Sequence, residues 1–472
     1  MVFVPFATQN YRLDSLPVSA QECQNAYAER EPPDAKTQIA VFGTPGLTSF
    51  STVGAGPIRG MLEHDGVAYA VSGSSLYSVS SAGAATYLGG GIAGGSEPVS
   101  MASNGTQLCI VDGTYGWIYN SSTGVYTMIS DADFYSAHTV TFFDNYFVFD
   151  RSGTPYVFLS ALLNGLSYNA LDTAAAEVQP QNVLATVNQQ ESLLVFSSGH
   201  TETWYDSGAV NFPFQRIDGG TIERGLVAHH ATVKEDNSVF FLGDDLVFYR
   251  LDGVVPRRVS THALEKLWGE FDTVEDATCF SMTLGGHKMI FLTFPAALYT
   301  FVYDIASGLW HRRVSYDAQG NSLGRWRGNC HLRIYGKDLI GDAFNGTVGY
   351  VDPTVYTEYG LTTPMILVSP PTQNDRKRVF YSNFELDMET GVGIASGQGS
   401  DPQAMLQWSN NGSHTWSATQ PWRSIGAIGA YRTRVRWAGP LGQARQRTWR
   451  LEVSDPVKRV VIAARCDISL GM

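Results

Sequence analysis

Apolar and polar residues alternate along this chain in short runs broken by Gly, Asp and Asn, which is the period-two signature of half-buried strands. Helical spacing is rare. One stretch, 261–271, sets Leu264, Leu267, Trp268 and Phe271 at i, i+3, i+4 and i+7, which predicts a single helix packed between sheets. A unit made of an alternating strand, a polar turn and an aromatic-rich second strand recurs seven times. Its starts fall near Ile58, Glu97, Ala137, Val183, Gly225, Asp276 and Trp326. The spacings, 39 to 51 residues, match the roughly 40–50 of a four-stranded propeller blade. His64-Asp65-Gly66 in the first repeat predicts a tight hairpin turn, with Val67, Tyr69 and Val71 on one face of the strand that follows. The predicted fold class is therefore all-β: a β-propeller of six or seven blades, the count left open because the third and last repeats are short.

The flanks break the pattern. Residues 1–57 carry Pro32-Pro33-Asp34 and Gly43-Thr44-Pro45-Gly46, and read as an N-terminal arm joining a platform. The propeller is assigned to 58–360. Beyond it, after a linker at Ser369-Pro370-Pro371, longer alternating strands predict a β-sandwich-like module over 361–472.

Composition agrees with strands and turns: 48 glycines, 12% aromatic residues and only 16% charged residues leave little for solvated helices. No apolar run reaches the ~18 residues of a membrane-spanning helix, and the first residues lack a basic head, so neither a membrane anchor nor a secretory signal is expected. Five cysteines, at 23, 109, 279, 330 and 466, are odd in number and form no CxxC pair. They predict neither a disulfide framework nor a zinc site, and suit synthesis in a reducing cytoplasm. The net charge of -12 is uneven. Residues 401–472 hold ten Lys and Arg against four Asp and Glu, a local +6, which leaves -18 on the first 400 residues. Such a body repels a nucleic-acid backbone.

No phosphate loop, HExxH helix, GxSxG elbow or Rossmann glycine fingerprint occurs. His229 and His230 are adjacent, so on a strand they point to opposite faces and cannot share an ion. Asp65-Gly66, Asp112-Gly113, Asp218-Gly219 and Asp252-Gly253 are explained by turn chemistry. Ser409-Asn410-Asn411-Gly412-Ser413-His414-Thr415-Trp416 is similar to the Asp-box hairpin, a folding element, with Asn411 in place of the aspartate. No catalytic, cofactor-binding or metal-ligating residue is predicted, and no cofactor. The sharper signal is basic: Arg432, Arg434 and Arg436 alternate on one expected strand, and Arg445 and Arg447 line the expected return strand after Gly439-Pro440-Leu441-Gly442. Such a hairpin presents five guanidiniums for docking an acidic protein partner, with DNA phosphates as the second choice.

Several stretches in order resemble the tail hub or nozzle (packaged-DNA stabilisation) proteins of short-tailed bacteriophages. They are Pro17-Val18-Ser19-Ala20-Gln21-Glu22-Cys23-Gln24-Asn25-Ala26-Tyr27, Gly43-Thr44-Pro45-Gly46-Leu47, Pro57-Ile58-Arg59-Gly60-Met61, Val99-Ser100-Met101-Ala102, Thr203-Trp204-Tyr205-Asp206-Ser207-Gly208, Arg224-Gly225-Leu226, and Trp422-Arg423-Ser424 with Arg436-Trp437. The resemblance implies a structural, non-enzymatic virion protein made in the bacterial cytoplasm. It implies a homo-hexameric ring below the portal-adaptor ring, extending the DNA channel, helping to retain packaged DNA, and carrying tail fibres, spikes or a tail needle for genome ejection. Double-stranded DNA would pass through transiently and without sequence preference. The five arginines would then face the adaptor. Two readings of other classes stand beside it: a propeller glycosidase or carbohydrate-binding protein acting on host surface polysaccharide, and an adhesion or scaffold propeller.

Overall fold

In Gln107–Val111 and Ser238–Leu242 every residue is buried, and so are all but the first residue of Ser192–Ser197. A strand covered on both faces reads as a continuous apolar run, and these are the second strands of their sheets, wedged between neighbouring blades. Outermost strands are the opposite: Val255–Arg258 and Ala85–Gly90 are largely exposed. The computed structural model describes residues 2–471 apart from Glu177, Val210, Asn211 and Arg376. Among these residues, six four-stranded antiparallel units follow in chain order, beginning at Ile58, Ser100, Val140, Val183, Thr232 and Thr278. A seventh contains Gly328–Ile334, Lys337–Asp342 and Thr347–Asp352, and takes its outer strand from Gly46–Thr52. First strands of neighbouring units lie side by side, the fourth and fifth units also meeting through Lys234 Nζ, which donates to Asn188 Oδ1 (2.5 Å), and the seventh lies against the first, which closes the ring.

Gly46–Thr52 therefore belongs to the propeller, although the sequence places it in the arm. It pairs antiparallel with the last blade from Thr347↔Thr52 to Asp352↔Gly46. Leu47 is buried with Met282, Phe291, Trp326 and Ile340. Gly46 is required there, because a Cβ would come within 2.0 Å of the Thr357 carbonyl oxygen. Hairpin turns fall where short carboxylates and amides predict them: Asp65, Asp144-Asn145 and Asp236-Asn237 all take positive φ. The helix spans His262–Trp268 and stops at Gly269. Its Trp268 packs on Phe294 and Trp310, with ring centroids 5.8 Å away in both cases, in a core shared by the fifth and sixth blades. No helix among the described residues is long and apolar enough to cross a membrane.

Both ends of the chain build the sandwich. One sheet runs Ala26–Arg30, Ile39–Gly43, Val460–Leu470, Val379–Met388, Val435–Ala438, with Val2–Val4 added along Val460–Leu470. The other runs Ala20–Gln24, Met365–Val368, Gln446–Val453, Gln403–Ser409, Trp422–Ser424. Phe384, Trp437, Trp449 and Leu451 fill the space between them, and Phe384 and Trp449 have centroids 4.7 Å apart. The Asp-box stretch is the expected closed turn: the Ser413 and Thr415 amides donate to Ser409 Oγ (2.9 Å) and Asn411 Oδ1 (3.0 Å).

Propeller and sandwich are joined by buried polar contacts. Gln24 pairs in parallel with Arg312, so one sheet of the sandwich continues into the sixth blade. Asn25 Nδ2 donates to the Val314 and Pro364 carbonyls (3.0 Å each), and its Oδ1 accepts the Val314 amide (2.9 Å). Beside the junction, within the seventh blade's own sheet, Arg327 lies between Asp342 (3.1 Å) and Glu358 (3.2 Å). Glu358 also accepts Trp326 Nε1 (2.7 Å) and Ser315 Oγ (2.5 Å). Arg459, fully buried, donates to the Thr363 carbonyl (2.6 Å). Buried polar groups satisfied in this way fix one relative orientation.

His287 is the titratable member of this junction. Its ring nitrogens face Asp304 of its own blade (2.9 Å) and Glu29 of the sandwich (2.5 Å). The hydrogen bond to Asp304, more than the one to Glu29, pushes its pKa up to about 9 against the effect of burial. Because the folded value lies above the unfolded ~6.5, the stabilisation is complete below pH 6.5 and is lost as pH rises through about 9. Melting curves between pH 6 and 10 are expected to show this alkaline loss, and His287→Gln is expected to flatten that part of the profile. An unchanged profile in the variant would remove His287 from the junction's pH dependence.

Candidate functional site

The structure separates the five arginines. Arg434 and Arg436 alternate with buried Val435 and Trp437, as the period-two reading expects. Arg434 is clamped by Glu385, Nε to Oε1 at 2.9 Å and Nη2 to Oε2 at 2.7 Å, a bidentate pair that raises its pKa further. Arg436 is half-buried on the same strand, and its carbonyl accepts Arg423 Nε (2.8 Å). Arg432 and Arg445 are exposed and make no side-chain hydrogen bond or ion pair among the described residues.

The expected hairpin does not form. Val435–Ala438 pairs with Val379–Met388 in one sheet, whereas Gln446–Val453 crosses to the other. Leu441, buried, makes the turn between layers, with its amide on the Tyr381 carbonyl (2.9 Å). Gln443–Ala444 pairs near Val379 and Val435 pairs at Leu386, so Arg445 and Arg434 sit at opposite ends of one strand. At ~3.4 Å per residue the ends are roughly 25 Å apart.

Arg447 is corrected outright: it is 0% exposed and belongs to the sandwich core. Its guanidinium lies 4.1 Å from the Tyr381 ring and 5.1 Å from Trp449, donates to Asn410 Oδ1 (2.9 Å) and the Leu441 carbonyl (2.8 Å), and has its pKa pushed down by burial to about 10. It offers nothing to a partner. What the sequence reading missed is the apolar company of Arg432: Trp422, Ile428 and Tyr431 are 53%, 67% and 76% exposed. Periodicity assigns aromatic residues to cores, and these lie on an edge strand and in a glycine-bounded loop where it carries no signal.

A second concave feature lies where the inner strands of several blades begin. This pocket, of about 660 Å³, is lined by Glu97, Asp112, His138, His229, His230, Glu275 and Asp276 among others. A glycosidase would need two free, facing carboxylates. Asp112 is instead held by the amides of Ala93 (2.6 Å), Thr114 (2.9 Å) and Tyr115 (2.7 Å). Asp276 accepts the Ala296 amide (2.6 Å), and burial raises its pKa. No Lys, Arg or Trp lines the pocket to grip a sugar.

His138, Asp150 and His229 meet beside it. The two imidazoles stack with centroids 3.8 Å apart and planes 12° from parallel, above the fully buried Asp150. Their Nδ1 atoms stand 3.6 and 4.0 Å from Asp150 Oδ2. Parallel rings direct their in-plane lone pairs side by side, without convergence on one ion. His229 Nδ1 also faces the Leu184 carbonyl at 2.7 Å, which can only accept, so that nitrogen carries the proton. The trio is a packing cluster in this arrangement. His230 does not join it: burial, then His229, pushes its pKa down to about 4.

Solved structures resemble parts of this chain at low identity. The extracellular domain of the putative one-component system BT4673 from B. thetaiotaomicron is 9% identical with a TM-score of 0.45, over 69% of this chain and 45% of that one, so the chain spans under half of that neighbour's length. The N-terminal domain of Nup159 is 11% identical with a TM-score of 0.39, over 70% of this chain and 98% of that one. No curated protein matches the chain in sequence. Two family descriptions do match, in order: "Bacteriophage P22 Gp10, beta-propeller" over residues 24–356 and "Bacteriophage P22 Gp10, beta-sandwich" over 364–469. Together they take in both rigidly joined parts of the fold, and the chain belongs to the bacteriophage P22 Gp10 family, the tail hub or nozzle proteins of short-tailed phages.

Proposed function

We propose that this phage tail structural protein is the ring-forming hub subunit of its tail. Six copies sit below the portal-adaptor ring, extend the DNA channel, help retain the packaged genome, and carry fibres, spikes or a needle until ejection. The observation that carries the reading is the match of propeller and sandwich, in order, to one tail protein family. Physical features support it. The propeller is closed against stray strand pairing by its circular order. The buried contacts of Asn25 and His287 across the junction let load pass between the two parts without a soft hinge. Six copies at -12 each carry a formal -72, and an acidic wall lets DNA slide without adhering. Retention is then steric.

Docking to the adaptor falls to Arg434 and Arg445. Reversing Arg434 and Arg445 to glutamate together is expected to leave the melting temperature within a few degrees and to lower incorporation into DNA-filled heads by tenfold or more, with leaking particles. Normal, DNA-tight particles carrying the double variant would end the docking role of these residues.

A further inference from the structure

The loop 425–434 at one end of the sandwich is rigid, apolar and basic together. Its backbone is tied down by Gly429 N to Gly391 O (3.1 Å), Ala430 N to Ala427 O (2.9 Å) and Thr433 N to Ala430 O (3.1 Å), and Thr390 Oγ1 donates to the Tyr431 carbonyl (3.0 Å). Gly391 leaves room for the Tyr431 ring, since a Cβ there would lie 2.8 Å from its Cδ1. On this frame Ile428 and Tyr431 stand out to solvent with Arg432 unpaired, and Trp422 stands out on the strand beside Val435–Ala438. Tyr, Trp and Arg on a preorganised support is the composition of a binding hot spot.

We propose that this loop docks on the acidic propeller of a second copy of the chain, and so forms the contact between neighbouring subunits. The inference rests on the hub reading, and deepens it by naming the surfaces that meet. Charge decides the occupant. The propeller, residues 46–362, holds 16 Lys and Arg against 31 Asp and Glu, a net -15, and the rest of the chain a net +3, so each chain is a charge dipole. A two-fold contact of loop on loop would set Arg432 against Arg432, a like-charge pairing. Head-to-tail contact pairs opposite signs, and a head-to-tail contact that closes gives a ring. The propeller offers a matching face at the third and fourth blades, where exposed Asp144 and Asp206 face each other and Asp172 lies near, and none of the three makes an ion pair among the described residues. Leu171 and Tyr205, adjacent to two of these carboxylates in sequence, are exposed.

The test places a photo-crosslinking phenylalanine derivative at Tyr431, and separately at Ile428, in assembled particles. The expected result is a cross-link between two copies of the chain, mapped by mass spectrometry to propeller residues, centred on the blades that carry Asp144 and Asp206. Arg432→Glu is expected to lower ring formation at least tenfold with an unchanged melting temperature. Cross-links that fall only on other virion proteins, or only on a second sandwich, would overturn the proposed contact while leaving the hub reading intact. Absence of the unmodified chain from purified particles would instead overturn the hub reading.

Discussion

Replacing Glu358 with alanine is expected to destabilise the chain by about 3–5 kcal/mol, the range for removing one partner of a buried ion pair. The carboxylate is 3% exposed and serves three donors at once: Arg327 Nε, Trp326 Nε1 and Ser315 Oγ. Without it Arg327 keeps Asp342, but the Trp326 and Ser315 donors lose their acceptor inside a core that water does not reach. Glu358 also pairs in parallel with Leu47 on the closing strand, so its loss loosens the seventh blade where the ring closes. Denaturant unfolding of the purified variant measures the effect, with Glu358→Gln expected to lose less because it retains an acceptor. A loss below about 1 kcal/mol would show the cluster to be dispensable.

Deleting residues 2–52 is expected to have the larger effect, abolishing the soluble folded chain. The deletion removes the outer strand of the seventh blade together with the N-terminal strands of both sandwich sheets. Thr347–Asp352 becomes an unprotected edge, and Trp326 and Ile340 lose Leu47. Expression of 53–472 is expected to give aggregate. A soluble fragment melting within a few degrees of the full chain would show that closure by Gly46–Thr52 is ornamental.

These elements divide into those legible in the sequence and those that are not, for physical reasons. Blade starts were readable because each blade is a local unit, with its turns and its doubly buried second strand inside one repeat. Three starts fall within three residues of the expected Glu97, Ala137 and Asp276, and Ile58 and Val183 coincide with them. The fifth blade begins at Thr232, seven residues after the expected Gly225, because Leu226 makes only an isolated bridge before the chain straightens. Gly46–Thr52 escaped notice because its partner lies about 300 residues away, and a lone strand has no repeat to announce it. Arg447 was misplaced by parity: a bend at Arg445 resets the alternation, and the aromatic cage that accepts the guanidinium comes from Tyr381, Trp408 and Trp449 in three separate strands. The stacking partner of His229, His138, arrives from an earlier blade connection that no local pattern reveals.

Val2–Val4 zips onto Ala464 through Cys466, so this strand cannot find its place until residue 466 has been made. Until then the sheet built on Val460–Leu470 is incomplete, and the other sheet waits for Gln446–Val453, so the growing chain holds open edges. Contacts so distant in sequence fold slowly and leave partial chains prone to aggregation. The same arrangement acts as a proofreading step in time: a polypeptide cut short, or caught in mid-synthesis, has no finished face to offer an assembling tail.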